Sequence, residues 1–216
     1  MPSPLVQRRV EEKQARRDAI VDAAERAFTA RGIDAATMGD VAAAARLSRA
    51  LLYTYFDDKD DLLMAVAHRG QSELLTRFEA AAAGDAPGRA RLGGIGAAFV
   101  GIARELPLHF EALMRYEARE VDPEQTESEE RAVMNQARRV IDLMAGVVTD
   151  GVADGSIRAD VGDPHATALT IWGVVYGAIQ LGTFKGKMLT EQFGVAPDAL
   201  VDRAFDLIDR SLRPSE

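Results

Sequence analysis

The sequence has no cysteine, a single tryptophan and three histidines in 216 residues. The first absence excludes disulfides, thiolate metal sites and thiol nucleophiles, and it fits a reducing cytoplasm. The histidines, His68, His109 and His165, stand far apart and in no ligand spacing of the H-E-x-x-H kind. No G-x-S-x-G element or phosphate-binding glycine loop occurs. The paired Glu-x-x-His motifs of a di-metal helical bundle are missing as well. Acidic residues are plentiful, Glu127, Glu129 and Glu130 among them, but a run of charge is usually a solvated face. No reacting constellation assembles, so the sequence predicts no catalytic residue, no metal and no cofactor.

Long apolar runs are equally scarce. The start, with Arg8, Arg9, Lys13, Arg16 and Arg17, lacks the apolar core of a secretory signal. Ala166 to Phe184 carries no charge and is about long enough to span a bilayer. Its polar Thr167, Thr170, Gln180 and Thr183 favour a helix buried in protein, with no membrane partner. The net charge of -8 is unevenly spread. Residues 1–56 hold nine Lys+Arg against seven Asp+Glu, and the remainder 17 against 27. A mildly basic head on an acidic body suits a protein that meets a polyanion at one end.

Alternating apolar and polar residues are absent, whereas helical spacing recurs nearly everywhere, so the expected class is all-α. The first firm helix runs from about Arg16 to Arg31, with Ile20, Ala23, Ala24, Ala27 and Phe28 on one face and Gly32 as its stop. Thr37 is a good N-cap for a short helix from Met38 to Ala45. Another short helix begins at Ser48 and reaches about Phe56. Asp57 and Asp58 precede a longer one from Lys59 to about Ala82. Helices follow at about Arg89–Glu105, Pro107–Arg119, Gln125–Asp154, Pro164–Lys185 and Pro197–Leu212, with prolines near several of their starts.

The two short helices joined at Ala45 to Ser48 are too short to stand alone. Val41, Leu47, Leu52 and Phe56 can pack on Ile20, Ala24 and Phe28. Ser48, Arg49, Ala50, Tyr53 and Thr54 then lie outside together, hydroxyls around one guanidinium, which is what a helix entering a major groove needs.

The run from Thr37 to Ser48, then Arg49-Ala-Leu-Leu-Tyr-Thr-Tyr-Phe56, then Asp-Asp-Lys59-Asp-Asp-Leu62, resembles the DNA-binding domain of the tetracycline-repressor (TetR) family. The resemblance covers Arg16 to about Leu63. It implies a three-helix helix-turn-helix DNA-binding domain over residues 1–58 and a larger helical ligand-binding and dimerisation domain over 59–216. It also implies a dimer on a palindromic double-stranded operator, repressing transcription and released by an unknown small-molecule effector in the cytoplasm. A helical scaffold that binds protein partners and no DNA is the rival reading.

Carried onto these residues, the resemblance implies phosphate contacts from Thr37 and Ser48 at helix N-termini, and from Lys59. Arg49 is the candidate base reader, its fork matching guanine O6 and N7. Ala50 lies beside it, and Tyr53, Thr54 and Tyr55 supply hydroxyls. Two positions depart from the family. Arg46 stands where it has glycine, and Leu51 where it favours a small polar residue. Leu51 either touches a thymine methyl or packs on another helix. The segment Arg8 to Arg17 lies along the DNA backbone, enters a minor groove, or is a disordered, solvated tail; the favoured reading is disorder before Arg9 and a modest phosphate contribution after it.

Dimerisation is expected through about 164–185 and 197–212, where Trp172, Val175, Tyr176, Ile179 and Phe184 accompany Gly173, Gly177 and Gly182, and Leu200, Ala204, Phe205, Leu207 and Ile208 share a helical face. Pocket candidates for the effector are Met64, Phe78, Phe99, Phe110, Met114, Met134, Met144, Trp172 and Tyr176. Tyr116 and Leu143 belong to the same apolar set, and His109, Glu111 and Arg115 are polar additions. Such residues are more often plain core. His109 reads as a surface residue. Gly93, Gly94, Gly96 and Gly101 loosen one helix, for movement or for close packing.

Overall fold

The computed structural model describes residues 3–117 and 128–214. Among these every regular element is a helix: α1 (Pro4–Arg31), α2 (Met38–Ala45), α3 (Arg49–Leu52), α4 (Lys59–Ala82), α5 (Gly88–Glu105), α6 (Pro107–Glu117), α7 (Ser128–Ala153), α8 (Pro164–Phe193) and α9 (Pro197–Leu212). The expected end of the sixth helix at Arg119, the start of the seventh at Gln125, and Glu127 fall outside the described residues.

Two compact units form. The first joins Met1–Gln71 with Pro107–Arg131, and the second joins Ser72–Leu106 with Ala132–Glu216. One division therefore falls inside α4.

The core of the first unit is built from α1 outward. Ile20, Ala23, Ala24 and Phe28 are all but fully buried, with Val41, Leu52 and Phe56 over them. Leu47, expected inside, is only half-buried, because it follows the turn rather than lying within a helix. Gly32 ends α1 at φ +80°, and its N–H reaches the Phe28 carbonyl at 2.8 Å. An L side chain adopts that φ only at a cost.

The α1 helix starts at Pro4 rather than near Arg16, so the segment read as a tail disordered before Arg9 is helical. Proline at the first helical position, an Arg8–Glu12 ion pair at 2.8 Å and a Gln14–Asp18 hydrogen bond at 3.0 Å support these turns. From α4 and α6, Arg69 and His109 close onto α1. Arg69 bonds Asp22, Glu25 and the Asp18 carbonyl, and His109 Nε2 lies 3.1 Å from Glu25 Oε1. His109 is thus a part-buried crossing point, not a surface residue. A Cβ on Gly70 of α4 would meet the His109 Cβ at 2.9 Å, so glycine permits this approach.

In the second unit Phe78, Phe99 and Trp172 meet edge to face or stacked, and Tyr176 extends the stack. Gly96 accommodates the Phe205 ring, whose atoms a Cβ would overlap, while Gly93 faces open space. Close packing therefore explains one of the glycines in α5. α8 runs to Phe193, eight residues past its expected end. It is long and apolar enough to cross a membrane by length and composition, yet only 22% of its apolar window is buried. Within a single chain much of its apolar surface is open.

Candidate nucleic-acid interface

Each helix of the pair α2–α3 is fixed by its own cap. The Thr37 hydroxyl accepts from Asp40 N at 3.2 Å, and Asp40 Oδ2 accepts from Thr37 N at 2.9 Å, a reciprocal capping box. The hydroxyl also donates to Asp40 Oδ2 at 2.7 Å. These bonds, from the Thr37 side chain and then its backbone, hold the Asp40 carboxyl below its usual range, with Arg31 and Arg49 adding a smaller pull. Ser48 caps α3 by accepting from Leu51 N at 3.2 Å, which leaves its own proton available.

The turn between them is a Schellman closure. Leu47 N donates to Ala42 O at 2.9 Å and Arg46 N to Ala43 O at 3.1 Å. Arg46 takes φ +57° and ψ +40°, and among the described residues no other non-glycine has positive φ. The chain keeps the turn and accepts the strain of a side chain there.

The recognition segment is shorter than expected. Regular α-helix spans Arg49–Leu52, and Tyr53 to Tyr55 follow as a tighter turn, with Thr54 N bonding Leu51 O and Tyr55 N bonding Leu52 O. The Thr54 hydroxyl takes the Leu51 carbonyl at 2.7 Å, a local bond that competes with the helical ladder. The inward and outward sets nevertheless separate. Leu52 and Phe56 are 0% and 1% exposed, while Ser48, Arg49, Ala50, Tyr53 and Thr54 are exposed. Thr37 is exposed too; Leu51 and Tyr55 are half-buried. Arg17 of α1 lies 4.7 Å from the Phe56 ring centroid, a cation–π contact that seals the end of this turn.

Two side chains sit differently from expectation. The Arg49 guanidinium rests over Gly39 in the first turn of α2, where a Cβ would fall 2.9 Å from its Cζ. The Lys59 ammonium donates to the Ile33 and Asp34 carbonyls, both at 3.0 Å, which leaves one N–H for a phosphate. Asp34 is in turn bonded by Arg115 at 2.6 and 2.9 Å, which holds its carboxyl below the usual range. Gly39 and Arg46 had no place in the predicted interface. The signal for Arg46 was its occupation of the turn glycine's position, while Gly39 carried none.

The effector candidates are divided between the two units. Met64, Phe110 and Met114 lie in the first unit, and Phe78, Phe99, Met134, Met144, Trp172 and Tyr176 in the second. Phe78, Phe99, Phe110, Met114 and Met144 are buried. Met64 lines a cavity of about 280 Å³ in the first unit with Leu63, Tyr116 and Arg115.

The family profile described as bacterial regulatory proteins, tetR family, matches residues 20–66, the stretch just described. A second, described as tetracyclin repressor-like C-terminal domain, matches residues 92–208, more than half of the chain. The chain belongs to the TetR family. Among curated TetR-type relatives, HTH-type transcriptional regulator TtgR of Pseudomonas putida is 40% identical over 62 residues, covering 29% of this chain and 30% of that one. The chain thus matches under a third of the length of that relative. A solved structure of a protein of unknown function from Rhodococcus sp. RHA1 superposes with a TM-score of 0.70 at 25% identity, over 92% of this chain and 95% of the other. AibR, solved with isovaleryl coenzyme A and operator DNA, gives 0.63 at 20% identity, over 89% and 97%. The TetR fold therefore extends over nearly the whole chain, whereas the likeness to the curated relative TtgR covers 62 residues.

Proposed function

We propose that this TetR-family chain is a ligand-responsive transcriptional repressor that binds a palindromic operator as a dimer and leaves it when a small molecule binds. Residues 1–58 form the DNA-binding head, and residues 59–216 bind ligand and dimerise. The observation that carries the reading is the separation in the recognition segment: Leu52 and Phe56 are sealed inside while Ser48, Arg49, Ala50, Tyr53 and Thr54 face solvent. A groove-reading element needs that arrangement, and a partner-binding scaffold gives no reason for it. Arg49 swings from Gly39 to meet a guanine edge, a side-chain rotation. Ser48 and Tyr53 offer hydroxyls, and Lys59 keeps one donor for a phosphate.

One recognition element reads too few bases for specific regulation, so two are needed, about 34 Å apart. The surface that supports pairing is the open stripe of α8: Leu169, Leu181, Phe184 and Met188 are exposed, with Gly173 and Gly177 between them and no atom within 4 Å of a Cβ placed on either. Val175 and Ile179, expected in this interface, are buried inside the protomer, as are the stacked rings of Trp172 and Tyr176 in part. Gly182 instead accommodates Pro197 of α9 within the chain. An apolar stripe covered by a second copy also accounts for α8 in a soluble, cytoplasmic protein. The effector acts by favouring the conformation in which α4 holds the recognition elements at the wrong separation. It needs a few kcal/mol of preference for that state. AibR, which shares the fold and was solved with isovaleryl coenzyme A and operator DNA, supports a small-molecule ligand beside DNA for this chain. The names of the curated relatives, transcriptional regulators, support a regulator rather than an enzyme.

Fluorescence anisotropy with DNA flanking the chain's own gene tests the reading. Binding falls steeply as salt rises, and Arg49→Ala relaxes base choice by about 1–3 kcal/mol at one position. Salt-independent binding, or none, leaves the scaffold as the better account.

A further inference from the structure

The first turns of α1 extend beyond the packed core of the head, and their charges are sorted by face. Arg9, Lys13, Arg16 and Arg17 lie within about one third of the helix circumference, given 3.6 residues per turn. That third is the one that Ile20, Ala23, Ala24, Ala27 and Phe28 occupy further along, where they are buried and α1 packs on α2. Glu11 and Arg8 fall on the opposite side and Glu12 at the edge. The inward stripe of α1 therefore changes from apolar to cationic where the core ends.

A stripe facing solvent alone has no reason to separate its charges in this way. Arg9, Lys13 and Arg16 are exposed and form no ion pair among the described residues. Arg8, on the other side, is paired with Glu12. Arg17, the innermost member, lies on the Phe56 ring at the exit of the recognition segment, so the stripe starts beside the reading element and runs away from it.

We propose that the helical extension of α1 is a second DNA-contact element, in which Arg9, Lys13 and Arg16 bind backbone phosphates flanking each half-site. This rests on the DNA-binding reading above and deepens it. A rigid helix fixes three cations in register with one another at less ordering cost than a disordered tail. The contacts carry no base information and enlarge the footprint outward.

The test compares the triple variant Arg9→Gln/Lys13→Gln/Arg16→Gln with an off-face control, Arg8→Gln/Arg26→Gln. The probe is a duplex selected from a random-sequence pool by the wild-type protein, with about ten base pairs of flank on each side. The salt slope of binding should fall by about 0.9 for each phosphate that is no longer neutralised. That is about 2.7 per protomer for the triple variant, with an affinity loss on the order of 100-fold near 0.1 M salt. Hydroxyl-radical protection of the flanks should vanish while protection of the half-sites stays. Thermal midpoints should match, since every substituted residue is exposed. If the triple variant keeps the slope and flank protection of the control, the proposal is overturned while the repressor reading stands. If the wild-type protein selects no duplex at all, the DNA-binding reading fails first.

Discussion

Replacing Arg46 with glycine should make the protein more stable, although it deletes a side chain. Arg46 holds φ +57° in the Schellman closure between α2 and α3. A left-handed conformation costs an L-residue about 1–2 kcal/mol. Glycine removes that cost but loses about 0.5–1 kcal/mol to greater freedom in the unfolded chain. The net gain is therefore about 0.5–1 kcal/mol, which for a chain of this length moves the thermal midpoint by about 1–4 °C. Arg46→Ala retains the strain without the guanidinium and serves as the reference. Urea unfolding at fixed protomer concentration should place Arg46→Gly above both the wild type and Arg46→Ala, with unchanged slope. Equal midpoints for the glycine and alanine variants would refute the claim that backbone strain is stored in this turn. Both variants should lose the same DNA affinity if Arg46 adds only charge, which separates the backbone effect from the electrostatic one.

Gly39→Ala places a methyl where the Arg49 guanidinium now rests. Stability should stay within about 0.5 kcal/mol while base selectivity at one operator position changes; unchanged selectivity in a binding-site selection would show that Arg49's resting place is irrelevant to reading. Glu25 is held below its ordinary range first by the His109 hydrogen bond, against burial, and then by Arg69. A depressed folded value means stabilisation that is present above the unfolded value, about 4.3, and lost as pH falls through the folded value. Glu25→Gln should therefore cost about 1–3 kcal/mol near neutral pH and little at pH 3 by urea midpoints; a cost independent of pH contradicts the ion-pair account. Leu181→Asp/Phe184→Asp should yield monomers in sedimentation at micromolar concentration with lost operator affinity, and a stable dimer would move the pairing surface off α8.

The elements legible in the sequence are those whose ends carry local chemistry. Thr37 starts α2, Lys59 follows two aspartates at α4, and Pro197 opens α9, each where expected. The head's core was legible for the same reason, since Ile20, Ala24, Phe28, Val41, Leu52 and Phe56 announce it by spacing. The rest depends on partners distant in sequence. The α1 extension reads as tail or phosphate-binding arm alike because its charges look the same until the helix sorts them by face. His109 looks exposed until Gly70 lets α6 close on α4 and presents it to Glu25. Arg49 was placed correctly on the outside, but its resting position over Gly39 depends on space made by a different helix. Local rules see a side chain's direction from the backbone and not where a long, flexible one comes to lie. The effector candidates are not separated from plain core by the sequence, because aromatic and methionine residues at helical spacing serve core and cavity alike.

Composition understated how much positive charge the head offers to DNA. Nine basic against seven acidic residues over 1–56 is a weak bias. In the fold, every acidic residue of that stretch except Glu11 is committed. Glu12 pairs with Arg8 and Asp40 with Arg31. Asp18, Asp22 and Glu25 gather on Arg69, and Asp34 on Arg115. Arg69 and Arg115 come from beyond residue 56, so the rest of the chain supplies the cations that neutralise the head's carboxylates. Arg9, Lys13, Arg16 and Arg46 form no ion pair among the described residues, and Arg49 touches Asp40 only through its field. As stability contributions the exposed pairs are small. Their effect is on the potential: an acid already paired repels a phosphate less, and an unpaired arginine attracts one fully. Charge sorting of this kind follows from tertiary contacts, and it turns a chain of net charge -8 into one with a polyanion-binding end.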